Sequence, residues 1–188
     1  MIYHTRGFVV MGEHVPPFAL NPGDWLVLRW PENSRTEVER LLYKTLSGEG
    51  VSGAVSCHAG IKVVSPLEER SASLLTQANV GDLLAALPPT EQEPFLAEIR
   101  ARGLLPAAPI DHLPGTIKRL SQLMLACASA EVVVLDAGGL DPLGKKRICD
   151  YVSAQRQRGL AFIELEVPFI GRHMVRPSGV GYLDASAT

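Results

Sequence analysis

No stretch of these 188 residues stays apolar for the 18 or so positions that a membrane-spanning helix needs. The opening Met-Ile-Tyr-His-Thr-Arg lacks the apolar core of a secretion signal. A soluble, cytoplasmic chain is therefore expected, one that reaches the inner face of a membrane only through a partner. Cysteine is scarce: Cys57, Cys127 and Cys149 stand far apart, odd in number and without metal spacing. That pattern argues against a disulfide framework and predicts reduced thiols. A strong charge of one sign is missing too. The net charge of -2 removes the bulk attraction on which a nucleic-acid binder relies, so no nucleic-acid partner is expected. Lys145-Lys146-Arg147 is short and reads as the solvated face of a helix. The five histidines (His4, His14, His58, His112, His173) include no i,i+4 pair, so no metal site is expected. There is no G-x-S-x-G nucleophile elbow, no repeat and no low-complexity tract.

What is present is an ordinary globular composition, 46% hydrophobic and 20% charged, which predicts one domain over 1–188 with a core of its own. Its centre is Glu131 to Pro142. Val132 to Leu135 form a short apolar run, mostly β-branched, that reads as a strand buried on both faces and ending in a carboxylate, Asp136. Gly138 and Gly139 break it, and Asp141-Pro142 opens an amphipathic helix. A carboxylate at the C-terminal edge of such a strand lies where α/β folds hold ligands.

Around this centre, Phe8 to Met11 and Trp25 to Trp30 read as strands separated by turn-rich Pro16-Pro17 and Asn21-Pro22-Gly23-Asp24. Trp25 and Trp30 are expected in the core or at its rim. A helix is predicted over Arg35 to Leu46 with Val38, Leu41, Leu42 and Leu46 facing inward, then short strands near Gly53 to Ser56 and Ile61 to Val64. Residues 65–112 change character: helical segments around Val80 to Leu87 and Thr90 to Arg102 are punctuated by proline, which predicts a small helical insertion. A long helix over Leu113 to Ala130, a helix over Leu143 to Arg158 and a strand over Ala161 to Val167 follow. Met174 to Arg176, a turn at Pro177-Ser178-Gly179 and Val180 to Leu183 read as a closing hairpin.

This order, with several phrases in it, resembles the nucleotide-binding domain of ABC transporters over about Gly23 to Leu183. Asn21 to Leu28 looks like the strand leading into the family's phosphate loop, and Val132 to Asp136 looks like its Walker B strand. Leu113-Pro114-Gly115-Thr116-Ile117 falls where the family has its signature, and Gly139-Leu140-Asp141-Pro142 is identical to a common D-loop phrase. Gly159 to Leu165 is similar to the strand ahead of the switch histidine. The resemblance implies an α/β, P-loop NTPase-like fold: a mostly parallel sheet flanked by helices, with the small helical insertion.

The family's working residues are largely absent. The gapless match to GxxxxGK[ST] is Trp30 to Glu37. Trp30 and Arg35 replace both glycines, Thr36 replaces the lysine, and Glu37 replaces the magnesium hydroxyl. Trp30 is expected to plug the phosphate cradle. Ser34-Arg35-Thr36-Glu37 instead fits a capping box, with Ser34 as N-cap and Glu37 reaching back. Glu32, Glu37 and Glu39 would then fill the anion site of the helix start with the chain's own charge. Ala137 stands at the general-base glutamate, Val167 at the switch histidine, and Ser65 or Pro66 at the Q-loop glutamine. His173 and Gln77 lie too far along to substitute. Of the metal and catalytic groups only Asp136 survives, and a lone buried Asp is more often a hydrogen-bonded structural residue than a ligand.

The resemblance therefore implies a non-catalytic pseudo-ATPase subunit of an ABC-type assembly, without cofactor or catalytic residue. Its vestigial site would comprise Trp30, Ser34, Arg35, Thr36, Glu37, Asp136 and Ala137, beside signature-like Gly115 and Thr116. Gly139, Leu140 and Asp141 are expected at a contact with an active ATPase subunit or with a second copy of the chain, and a permease is the other implied partner. A divergent ATP-binding subunit that completes a composite Mg-ATP site, and an unrelated cytosolic scaffold, are the competing expectations.

Overall fold

The computed structural model describes residues 1–30, 36–49, 55–57, 60–64, 79–136, 138–166 and 179–187. The centre is a parallel sheet of five strands in the order β10-β5-β9-β8-β7. These are β5 (Trp25–Arg29), β7 (Ile61–Val64), β8 (Val132–Asp136), β9 (Ala161–Glu166) and β10 (Gly181–Asp184). The runs Trp-Leu-Val-Leu, Val-Val-Val-Leu and Ala-Phe-Ile suit strands covered on both faces. Val132 to Leu135 are all 2% exposed or less.

One face carries α1 (Thr36–Leu46) and the N-terminal strands β1 (Tyr3–Thr5), β2 (Phe8–Val10), β3 (Glu13–Val15) and β4 (Phe18–Leu20). Leu28, Trp30, Val132, Val134, Ile163 and Leu165 pack there against Leu42, Tyr43 and Leu46 of α1. The opposite face carries α4 (Gly115–Ser129) and α5 (Pro142–Gln157). Trp25, Val27, Val133, Leu135 and Phe162 pack there against Leu123, Ala126, Ile148 and Val152. The chain leaves β5 for the far edge at β7, returns strand by strand to β9 at its side, and then crosses to β10. The connections change direction beside the C-terminal end of β5, where open α/β sheets form their crevice.

The N-terminal strands are three residues each and build two antiparallel sheets, β4-β1-β6 and β11-β3-β2, with β6 (Val55–Cys57) and β11 (Ser186–Ala187). The sequence suggested only one of the four, because runs this short carry almost no period-2 signal. Met11 and Gly12 join β2 to β3 with φ of 51° and 89°, a two-residue turn of the I′ kind without the Asn-Gly that usually announces it. One expectation changes. Leu41 is 37% exposed, and Tyr43 takes its place in the inward stripe with Leu42 and Leu46. The first strand of the expected hairpin, Met174 to Arg176, lies outside the described residues, and β10 pairs parallel with β5 from Gly181↔Leu26 to Asp184↔Arg29.

Between β7 and β8 lie α2 (Val80–Ala86), α3 (Pro89–Ala101) and a 3-10 turn, Ile110–His112. Val80, Leu83, Phe95, Ile99, Ile110 and Leu113 form a cluster that closes on Ile117 and Met124 of α4. Glu91 Oε1 accepts from Gln155 Nε2 at 3.2 Å and Arg158 Nη1 at 3.1 Å, and Glu98 pairs with Arg147, so α3 is tied to α5 near both of its ends. Asn79 caps α2 reciprocally: its Oδ1 accepts from Asp82 N–H at 2.9 Å, and its N–H donates to Asp82 Oδ2 at 3.0 Å. Asn79→Ala removes the acceptor for one orphan N–H, and urea denaturation should record a loss of about 0.5–2 kcal/mol.

Candidate functional site

β8 delivers Asp136 at its C-terminal end, on the side shared by Val132 and Val134 and hence toward α1. The chain meets the carboxylate with its own groups. Gly138 N–H donates to Oδ1 at 2.5 Å, closing a short side-chain turn. A Cβ at position 138 would lie 2.8 Å from the same oxygen, so a side chain there would push the carboxylate out of this turn. The buried hydroxyl of Tyr43 faces the carboxylate from α1. Arg119 of α4, 4% exposed, donates from Nη1 to the Asp136 carbonyl. Burial raises the Asp136 pKa above its ordinary 3.8, against the opposing pull of Gly138 N–H, Arg119, the Tyr43 hydroxyl and Lys145.

The structure describes some of the other expected residues. Trp30 is 3% exposed in the cluster with Leu28, Tyr43 and Leu165, and its N–H donates to Glu166 O at 2.9 Å. It continues the alternation of β5 into the core. Thr36 and Glu37 are the first two residues of α1. Ser34, Arg35 and Ala137 lie outside the described residues, as do Ser65, Pro66, Gln77, Val167 and His173, and with Ser34 goes the expected capping box. Gly115 and Thr116 open α4, whose N-cap is Pro114 with no side-chain cap. Gly139 turns the chain at φ 74°. Leu140 is half-buried against the cluster of Trp25, Leu135 and Ile148, and Asp141 caps α5 by accepting from Gly144 N–H at 2.6 Å. Both of these residues thus have intramolecular roles.

Sequence reading missed Tyr43, Arg119, Lys145 and Gly144. Arg119 had a faint signal, since it shares a helix face with Leu123 and Ala126, at i+4 and i+7, where a solvated cation is unexpected. It also missed Glu164, a carboxylate 1% exposed in the middle of β9, which accepts from Trp25 Nε1 at 3.1 Å on the α4–α5 face. Among the described residues no group of three or more His, Cys, Asp or Glu side chains could hold a metal ion. No helix among them is long and apolar enough to cross a membrane.

A solved ATP-binding subunit of an ABC transporter superposes with a TM-score of 0.62 at 16% identity, over 89% of this chain and 80% of that one. The fold is that of an ABC transporter ATP-binding cassette. The cassette MJ1267 in its ADP conformation gives 0.58 at 14% identity, over 89% and 82%. CbiO1 from Clostridium perfringens, part of the ABC transporter complex cbiONQ, gives 0.56 at 16%, over 89% and 78%. No family model and no curated protein sequence matches the chain. The likeness to ABC cassettes is therefore one of fold, at low sequence identity.

An acid whose folded pKa is raised favours the fold most when protonated, so its contribution falls as pH climbs from the unfolded value, near 3.8, through the raised one. Asn at this position is neutral throughout and can still accept from Gly138. The urea midpoint of Asp136→Asn should therefore gain on the wild type between about pH 3 and pH 7. A difference that does not change with pH would mean that burial does not govern this carboxylate.

Proposed function

We propose that this chain is a non-catalytic, pseudo-ATPase subunit of an ABC-transporter-type assembly, acting through contacts with an active ATPase subunit, a permease or both. The observation that carries this is the start of α1, the helix that follows β5 in sequence. The strand and the helix that would flank a phosphate loop are present, yet α1 begins Thr36-Glu37 where nucleotide chemistry needs a lysine and a magnesium hydroxyl. A carboxylate at that point repels a phosphate.

The donor set around Asp136 supports the same reading. A magnesium ligand must present a charged, accessible oxygen. This carboxylate is partly buried, accepts from Gly138, faces Tyr43 and lies within the field of Arg119 and Lys145. The residues on hand do not fit a magnesium-nucleotide, and no step of phosphoryl transfer is assigned to them. With Ala137 and Val167 at the positions of the base and the switch histidine, water positioning is missing as well. What the fold retains is shape. That one cassette of the same fold is part of a larger transporter complex supports an assembly role here.

The purified chain should release phosphate from Mg-ATP only at background, and Mg-ATP should leave its thermal midpoint unchanged, because only a ligand that binds the folded state raises it. A raised midpoint without turnover would favour the divergent ATP-binding subunit of a composite site. Turnover that disappears in Asp136→Ala would overturn the proposal outright. Co-expression with an ABC ATPase subunit and permease from the same source, followed by co-purification, tests the partners.

A further inference from the structure

Helix α4 grips the turn after β8 at two points. Thr116 and Arg119, three residues apart on one face of the helix, make both contacts. Arg119 donates to the carbonyl of Asp136, the last residue of β8. Thr116 lies against Gly144 in the first turn of α5. A Cβ on Gly144 would sit 2.4 Å from Thr116 Oγ1, 3.2 Å from its Cγ2 and 3.3 Å from its Cβ. Rotation of the threonine side chain moves the first two atoms but not the third, so the crowding would remain. Gly144 is itself buried, and its N–H is held by Asp141. Glycine is the poorest helix former after proline. Its place in the opening turn of α5 needs a reason, and the close approach of Thr116 supplies one.

We propose that Thr116 and Gly144 are a matched pair which, together with Arg119, locks the start of α4 and the turn 138–141 into one rigid unit. The proposal rests on the pseudo-ATPase reading only in calling 115–116 signature-like and 139–141 D-loop-like; the packing stands without those labels. Thr116 is a packing residue, present because its partner has no side chain. The two segments cannot reorient separately, so any protein that docks on one of them also meets the other in a fixed arrangement.

A double-mutant cycle tests the pair. Gly144→Ala improves helix propensity, yet in the wild-type background it should lower the thermal midpoint by about 4 °C or more. Thr116→Ala removes Oγ1 and Cγ2 but keeps the Cβ at 3.3 Å, so in that background the same Gly144→Ala should cost clearly less than in the wild type. Equal effects in both backgrounds, or a harmless Gly144→Ala in the wild type, would overturn the pairing. If Gly144→Ala alone does not fold, recovery of folded protein by the double variant supports it, and failure of the double variant overturns it. ATP turnover and nucleotide-dependent melting do not enter the cycle, so it can fail or hold independently of the proposed function.

Discussion

A strand covered on both faces can place a polar side chain cheaply only at its ends, and this constraint on β8 governs the rest. Val132 to Leu135 fill the space between the α1 face and the α4–α5 face. The first polar group, Asp136, appears where the strand leaves the sheet. There it or its carbonyl is met by donors and positive charges: Gly138 from the turn, Tyr43 from α1, Arg119 from α4 and the field of Lys145 from α5. The carboxylate therefore joins four elements. Glu164 in β9 is the contrasting case. It sits inside a strand and is met by the indole N–H of Trp25 from the neighbouring strand.

How much was legible in the sequence follows from how far each signal reaches. The long elements were clear because their periodicity is local: α1, α3, α4, α5, β5, β8 and β9 lie within a few residues of where pattern places them. The three-residue strands β1, β3 and β4 were not, because runs this short carry almost no period-2 signal and the Met11-Gly12 turn lacks the Asn-Gly that announces a hairpin. The parallel pairing of β10 with β5 joins residues from near the two ends of the chain, and no local rule reveals it. At the site, Asp136 was visible as a carboxylate ending an apolar run. Tyr43 and Arg119 were not, since their roles depend on helices packed from opposite faces onto one strand end. Leu140 was read as an exposed residue needing a partner, whereas half of it is already covered by the core beneath α5.

The fold and the residues on it thus carry different information. The topology superposes on ATP-binding cassettes of ABC transporters at 14–16% identity, which speaks for the fold alone. Fold alone does not confer activity. Under the proposed reading, the packing around α4 and α5 is what such a protein would keep for its surfaces.

The position of β5 also matters for the order in which the chain can fold. Its only neighbours in the sheet are β9 and β10, which follow it by more than a hundred residues. During synthesis β5 emerges early, with both edges open and a run of Trp, Leu and Val between them. It can be paired only after β8 and α5 have been made. Non-local pairing of this kind is slow to form and leaves strand edges exposed meanwhile. The cell must therefore keep an apolar, unpaired strand from finding the wrong partner for most of the time that the chain takes to be translated, a burden that the shape of the finished molecule conceals.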